Sequence, residues 1–94
     1  MLTIYKFPIE ITDNQTLEIK GCKGLISVIE QNKKLVIYSF VNTENKCIKL
    51  IDIMIAGTGN PISGKLQCNS NFLGTVSTAT GLVWHVFYSN HIES

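Results

Sequence analysis

The sequence predicts an all-β protein: a single small antiparallel β-sandwich or barrel of about seven short strands. No window sustains an apolar stripe at i, i+3, i+4 spacing over a helical length. Short runs rich in Ile, Val, Thr and aromatic residues recur roughly every ten residues instead. Clusters of Asn, Gly, Lys and Pro separate them, and these residue types favour turns.

Residues 2–7 alternate and read as the first strand. Pro8 has no backbone donor, so it marks an edge position or a strand end. Thr12, Asp13 and Asn14 form a turn, since Asp and Asn side chains bond their own backbone. Residues 15–19 are a second strand. Residues 20–24 are a further turn, with Gly21 and Gly24 flanking Cys22 and Lys23. Residues 25–31 and 35–41 flank the short polar turn Asn32, Lys33, Lys34 and read as a hairpin. Residues 42–46 are a polar loop. Residues 47–55 are the fifth strand, with Ile51, Ile53 and Ile55 on one face and Ile48 and Leu50 on the other. That change of buried face predicts a β-bulge near Leu50 and Ile51. Residues 56–71 are the least regular stretch. Residues 72–78 and 82–88 are the last two strands, joined by a turn at Ala79, Thr80 and Gly81. The final strand carries Leu82, Trp84, Val86 and Tyr88 on one face and Val83, His85 and Phe87 on the other. Bulk on both faces suits a central strand covered on both sides, by the opposite sheet and a loop or by a second subunit. The tail, residues 89–94, is expected to fray.

The chain has 94 residues, a net charge of +1, 45% hydrophobic residues and 16% charged residues. That length suits one domain over residues 1–94. The composition is too apolar and too weakly charged for disorder. All eight basic residues are Lys and none is Arg. With a near-zero net charge, this argues against nucleic-acid binding, which uses basic surfaces and the bidentate guanidinium fork. No apolar stretch is long enough to suggest a membrane span. The N-terminus lacks the basic and apolar regions of a signal peptide, so a cytoplasmic location is expected. Cys22, Cys47 and Cys68 are odd in number and form no CxxC pair. They read as reduced, mostly buried thiols rather than a disulfide framework or a zinc site.

The sharpest local feature is the loop Gly57, Thr58, Gly59, Asn60, Pro61. Successive glycines let backbone N–H groups converge on an anion or approach a ligand closely. The bland alternative is a plain connection, because phosphate loops normally open a helix and Pro61 promises none. Trp84 and Tyr5 could stack on a base or ribose, with Lys65 near a phosphate, although such aromatics are more often core. His85 could donate a proton or stack, although a lone His in a strand is more often structural. Asp52 falls inside the most apolar strand, so it either has a partner or faces water, as period two predicts for a residue between inward isoleucines. His91 lies in the tail and suggests no role. No residue shows a nucleophile-elbow context. Neither catalysis, a metal nor a cofactor is expected.

Four separated segments together resemble one family: TIYKFPIEITDNQTLEI, GLISVIEQNKKL, GTGNP, and FLGTV followed by GLVWHVF. Their order is similar to that of the DUF7352 family of small phage and prophage proteins. The likeness covers residues 3–87. It implies a phage origin and a place in the host cytosol, and it transfers no activity. The family loop often reads GTGHP after a basic residue. Here Asn60 stands for the His, and Met54, Ile55 and Ala56 replace the basic approach. If the family residues bind an anion, this chain lacks part of that machinery or uses Lys65 instead.

The expected function is non-catalytic binding in counter-defence: sequestration of a small anionic ligand such as an immune nucleotide second messenger. Gly57, Thr58, Gly59, Asn60, Pro61, Lys65, Trp84, His85 and Tyr5 are the candidate ligand-binding residues. The alternative is a protein-binding module that blocks a host or phage protein through a sheet edge or apolar face. A homo-oligomer is expected in either case.

Overall fold

Period-two alternation selects the buried face of each segment, and two such sheets bury those faces against each other. The computed structural model describes residues 1–62 and 70–91. The strands are β1 (Leu2–Ile9), β2 (Asn14–Lys20), β3 (Cys22–Gln31), β4 (Lys34–Asn42), β5 (Ile48–Gly57), β6 (Asn71–Ser77) and β7 (Val83–Asn90). They form a three-stranded sheet, β1-β4-β3, and a four-stranded sheet, β2-β5-β7-β6, with every pairing antiparallel. The chain crosses between sheets after β1, β2 and β4. Among the described residues no helix is long and apolar enough to cross a membrane.

Every strand contributes to one core. Ile9, Ile19, Val28, Leu35, Ile37, Val41, Ile51, Ile53, Ile55, Val76 and Val86 form it, and Phe7, Leu17, Leu25, Leu73, Trp84 and Tyr88 pack on its margin. β7 lies between β5 and β6, the central place its two-sided bulk predicts. Ser39 of β4 is the polar side chain buried in this interior. Its hydroxyl lies 3.1 Å from the carbonyl oxygens of both Gly24 and Phe40, and 3.5 Å from Cys22 Sγ.

Several local expectations change. The turn over residues 20–24 shrinks to Gly21 alone, because Cys22, Lys23 and Gly24 already belong to β3. No bulge falls at Leu50 and Ile51. β5 is paired on both sides and keeps an unbroken register with β2 and β7. The irregularities lie in edge strands, at Cys22/Gly24 and Leu25/Ser27 of β3 and at Phe72/Gly74 of β6. An edge strand has one partner to satisfy and accommodates an extra residue more easily. Ile48 consequently stays on the outer face and is 61% exposed. The tail is tied down further than expected. Ser89 and Asn90 pair with Asp52 and Ile51, and the His91 amide donates to the Leu50 carbonyl. Cys22 is half-buried and Cys47 exposed, both as free thiols, so burial is not general to the cysteines. Cys68 lies outside the described residues.

The β3–β4 hairpin turns on Asn32 and Lys33, with φ of 53° and 67°. Two consecutive left-handed residues make the primed turn whose twist matches the flanking strands. Asn tolerates this conformation; Lys does so at a cost. Lys33→Gly should therefore stabilise the protein by about 0.5–1 kcal/mol, read as a rise in Tm of several degrees. Gly21 behaves oppositely. Its φ is +73°, and an added Cβ would fall on the Asn42 carbonyl oxygen. Gly21→Ala should cost about 2–4 kcal/mol. A Tm that falls for Lys33→Gly or holds for Gly21→Ala would contradict these two turns.

Candidate functional site

The turn between β1 and β2, residues 10–13, is fixed by one side chain. Gln15 Nε2 donates to the Glu10 carbonyl at 2.6 Å, and its Oε1 accepts from the Glu10 amide at 3.3 Å. The Ile55 amide donates to the Asp13 carbonyl at 3.2 Å, which docks this turn on the end of β5. The docked turn forms one wall of a cleft of about 210 Å³, lined by Ile11, Thr12, Asp13, Ile55, Ala56, Gly57, Asn60, Pro61 and Trp84. Trp84 sits opposite Gly57 in the β5–β7 register. A Cβ on Gly57 would come 3.0 Å from Trp84 Cζ3 and 2.6 Å from Asn60 Nδ2. The glycine thus leaves room for the indole and for the Asn60 amide.

The loop backbone is turned inward on itself. The Thr58 amide donates to the Val83 carbonyl at 3.2 Å, and the Asn60 amide donates to the Gly57 carbonyl at 3.1 Å. These two donors therefore do not point together at a ligand. Asp13 is the acidic residue among the lining, and no Lys of the described residues lines the cleft.

Alternation along β7 places His85 on the opposite face of the sheet from Trp84. His85 Nε2 lies 2.6 Å from Thr58 Oγ1, and Nδ1 lies 3.0 Å from Thr75 Oγ1. A neutral imidazole offers one donor and one acceptor, so one hydroxyl accepts and the other donates. The ring thereby links Thr58, just beyond β5, to β7 and β6. Further along this face, Asp52 Oδ1 accepts from Thr16 Oγ1 at 2.9 Å and lies 2.8 Å from His91 Nδ1. Asn14, Gln15, Met54 and Ser89 complete a small hollow around that pair.

The nine candidate residues therefore divide. Gly57, Asn60, Pro61 and Trp84 meet in the cleft. Thr58 and His85 meet on the other face. Tyr5 lies in the other sheet, half exposed, opposite Ser39. Gly59, with φ +83°, sits in the loop facing open space. Lys65 lies outside the described residues. Sequence reasoning missed Thr12 and Asp13 as cleft residues, and His91 as a partner of Asp52. The first needed knowledge that the turn docks on β5. The second had a signal, since Asp52 in an apolar strand called for a partner. Among the described residues no group of three or more His, Cys, Asp or Glu could hold a metal ion.

The chain matches the family described as Domain of unknown function (DUF7352) along residues 1–94. It belongs to that family. No match was found among curated proteins or among solved structures. In this DUF7352 chain the cleft and the His85 face are separable by mutation. Gly57→Ala should push on the indole, shift the Trp84 emission maximum and cost about 1–3 kcal/mol. Thr58→Val acts on the far face and should leave Trp84 emission unchanged. Equal spectra for both variants would contradict the division.

Proposed function

We propose that this protein is a non-catalytic binding module of phage origin. It acts in the host cytosol in counter-defence and blocks a host protein that presents an apolar surface with an acidic rim. The observation that supports this reading is the outer face of the sheet β1-β4-β3. Leu2 is 60% exposed, Ile4 53%, Phe40 41% and Ile29 41%. Ile4 stands directly opposite Phe40, and Leu2 and Phe40 line two adjoining hollows. Single exposed hydrophobic residues are ordinary, but a contiguous apolar patch marks a contact surface. Lys23 lines one of the hollows, and Lys6 and Lys34 occupy outward positions around the patch. The outward positions of these three strands carry no carboxylate. A partner with apolar contacts and surrounding carboxylates complements that pattern.

Sequestration of a small anionic nucleotide, the other binding reading, draws support from Trp84 beside Gly57, Asn60 and Pro61 in one cleft. It has less support than the sheet face. The cleft is smaller than the ~300–1,000 Å³ typical of ligand sites. The Thr58 and Asn60 amides are occupied by backbone carbonyls, and the charged residue of the lining is an acid, Asp13, rather than a Lys.

Immobilised protein challenged with host lysate tests the choice. The proposed reading expects one retained protein that is lost with Phe40→Asp and with Lys23→Glu, weakened by added salt and kept by Thr58→Val. Retention that ignores Phe40→Asp and Lys23→Glu, or no retained protein, would overturn it. A Trp84 emission change on titration with cyclic nucleotides, with no retained protein, would favour the cleft.

A further inference from the structure

We infer that β1 is a self-pairing edge, through which two copies of this chain join their three-stranded sheets into one. This does not rest on the proposed function, and it uses the rim of the sheet rather than its face.

The two sheets have four edge strands: β1, β3, β2 and β6. Three of them carry features that discourage pairing. β3 has two register irregularities and packs against β6, where Gly74 lies so near Val28 that a Cβ would come within 3.1 Å of it. β6 has its own irregularity at Phe72/Gly74. β2 carries Glu18 and Lys20 among its exposed residues. Bulges and charges of this kind are how edge strands avoid pairing with other chains. β1 has no bulge, and of the residues that guard an edge it carries Lys6 and Pro8, of which Pro8 lies near its end. It keeps an unbroken register with β4 from Leu2 to Ile9, and Lys6 is its one charged residue. Leu2, Ile4 and Tyr5 are each at least half exposed.

The direction of its free hydrogen-bonding groups follows from one bond. The Met1 carbonyl accepts from the Thr43 amide, one step beyond the Leu2↔Asn42 pair, so it points toward β4. Antiparallel strands alternate, so Thr3, Tyr5, Phe7 and Ile9 also point toward β4, while Leu2, Ile4 and Lys6 point outward. Pro8 belongs to the outward set, which suits a residue that has no N–H to give.

A twofold axis through Ile4 then makes β1 complementary to itself. Ile4 meets the partner's Ile4, and Leu2 meets the partner's Lys6, with two backbone bonds exchanged at each pair. The two Lys6 side chains are kept apart, each beside a leucine. Pro8 falls beyond the paired segment and blocks nothing. The apolar outer faces of both copies become continuous across the junction. The interface is short, so the dimer is concentration-dependent.

Sedimentation and light scattering over a dilution series test this. The mass should rise from 10.5 kDa toward twice that value as concentration increases. Amide exchange at Leu2, Ile4 and Lys6 should slow in parallel, while Thr3 and Tyr5 stay unchanged. Ile4→Pro removes an outward donor without touching the β4 ladder and should abolish the dimer. Ile4→Lys should do the same by placing like charges on the axis, and it serves if Ile4→Pro does not fold. Phe40→Asp, which lies off the edge, should leave the dimer intact. A wild-type protein that stays monomeric throughout would overturn the inference. So would a dimer that survives both Ile4 variants, or one lost with Phe40→Asp but not with Ile4→Pro.

Discussion

The fold depends on one residue having no side chain. Gly21 is the whole link between β2 and β3, and it is where the chain passes from one sheet to the other. Its amide donates to the Cys47 carbonyl at 2.8 Å, and its carbonyl accepts from the Asn42 amide at 2.8 Å. Asn42 ends β4 and Cys47 immediately precedes β5, so the same residue ties together a second crossing between the sheets. The position is buried and left-handed, and backbone oxygens of Asn42 and Asn45 occupy the space a Cβ would need. A larger residue could not shift one crossing without disturbing the other. The alignment of the two inner faces, and with it the core from Ile19 to Val86, follows from this corner.

The opposite end is held by softer means. The turn over residues 10–13 is kept by the Gln15 side chain and by a bond from Ile55. It is there that the cleft opens beside Trp84. The protein therefore has a rigid corner and a polar, side-chain-supported one. The cleft and the small hollow around Asp52 lie toward the second, as is common where loops rest on a scaffold.

Much of the architecture was legible in the sequence because strand formation here is local. Seven β-rich runs and their turn residues gave seven strands in two antiparallel sheets. The ends moved by a residue or more, as when β7 continued to Asn90 on partners in β5. Strand order was not legible, since pairings such as β1 with β4 or β2 with β5 leave no trace in spacing. The candidate site suffered for a related reason. Trp84 and His85 are adjacent in sequence, yet alternation sets them on opposite faces, so proximity along the chain was misleading where period two was informative. Thr12 and Asp13 reach the cleft only through a tertiary contact. Asp52 signalled that it needed partners, but their identities, Thr16 and His91, came from the fold.

Ser39 has a consequence for how the chain finds its alignment. It is a hydroxyl in an otherwise aliphatic interior, satisfied by the carbonyls of Gly24 and Phe40 beside the irregular part of β3. Aliphatic side chains are largely interchangeable in a core, and they discriminate weakly between neighbouring alignments. A buried hydroxyl does not share that tolerance, because losing its acceptor costs on the order of 1–3 kcal/mol. If β4 slid by one residue, Tyr38 or Phe40 would turn inward and this hydroxyl would leave its acceptors. The serine thus acts as a lock with one key position. It adds little to the strength of the folded state and much to its uniqueness, and it leaves the isoleucines and valines around it free to drift.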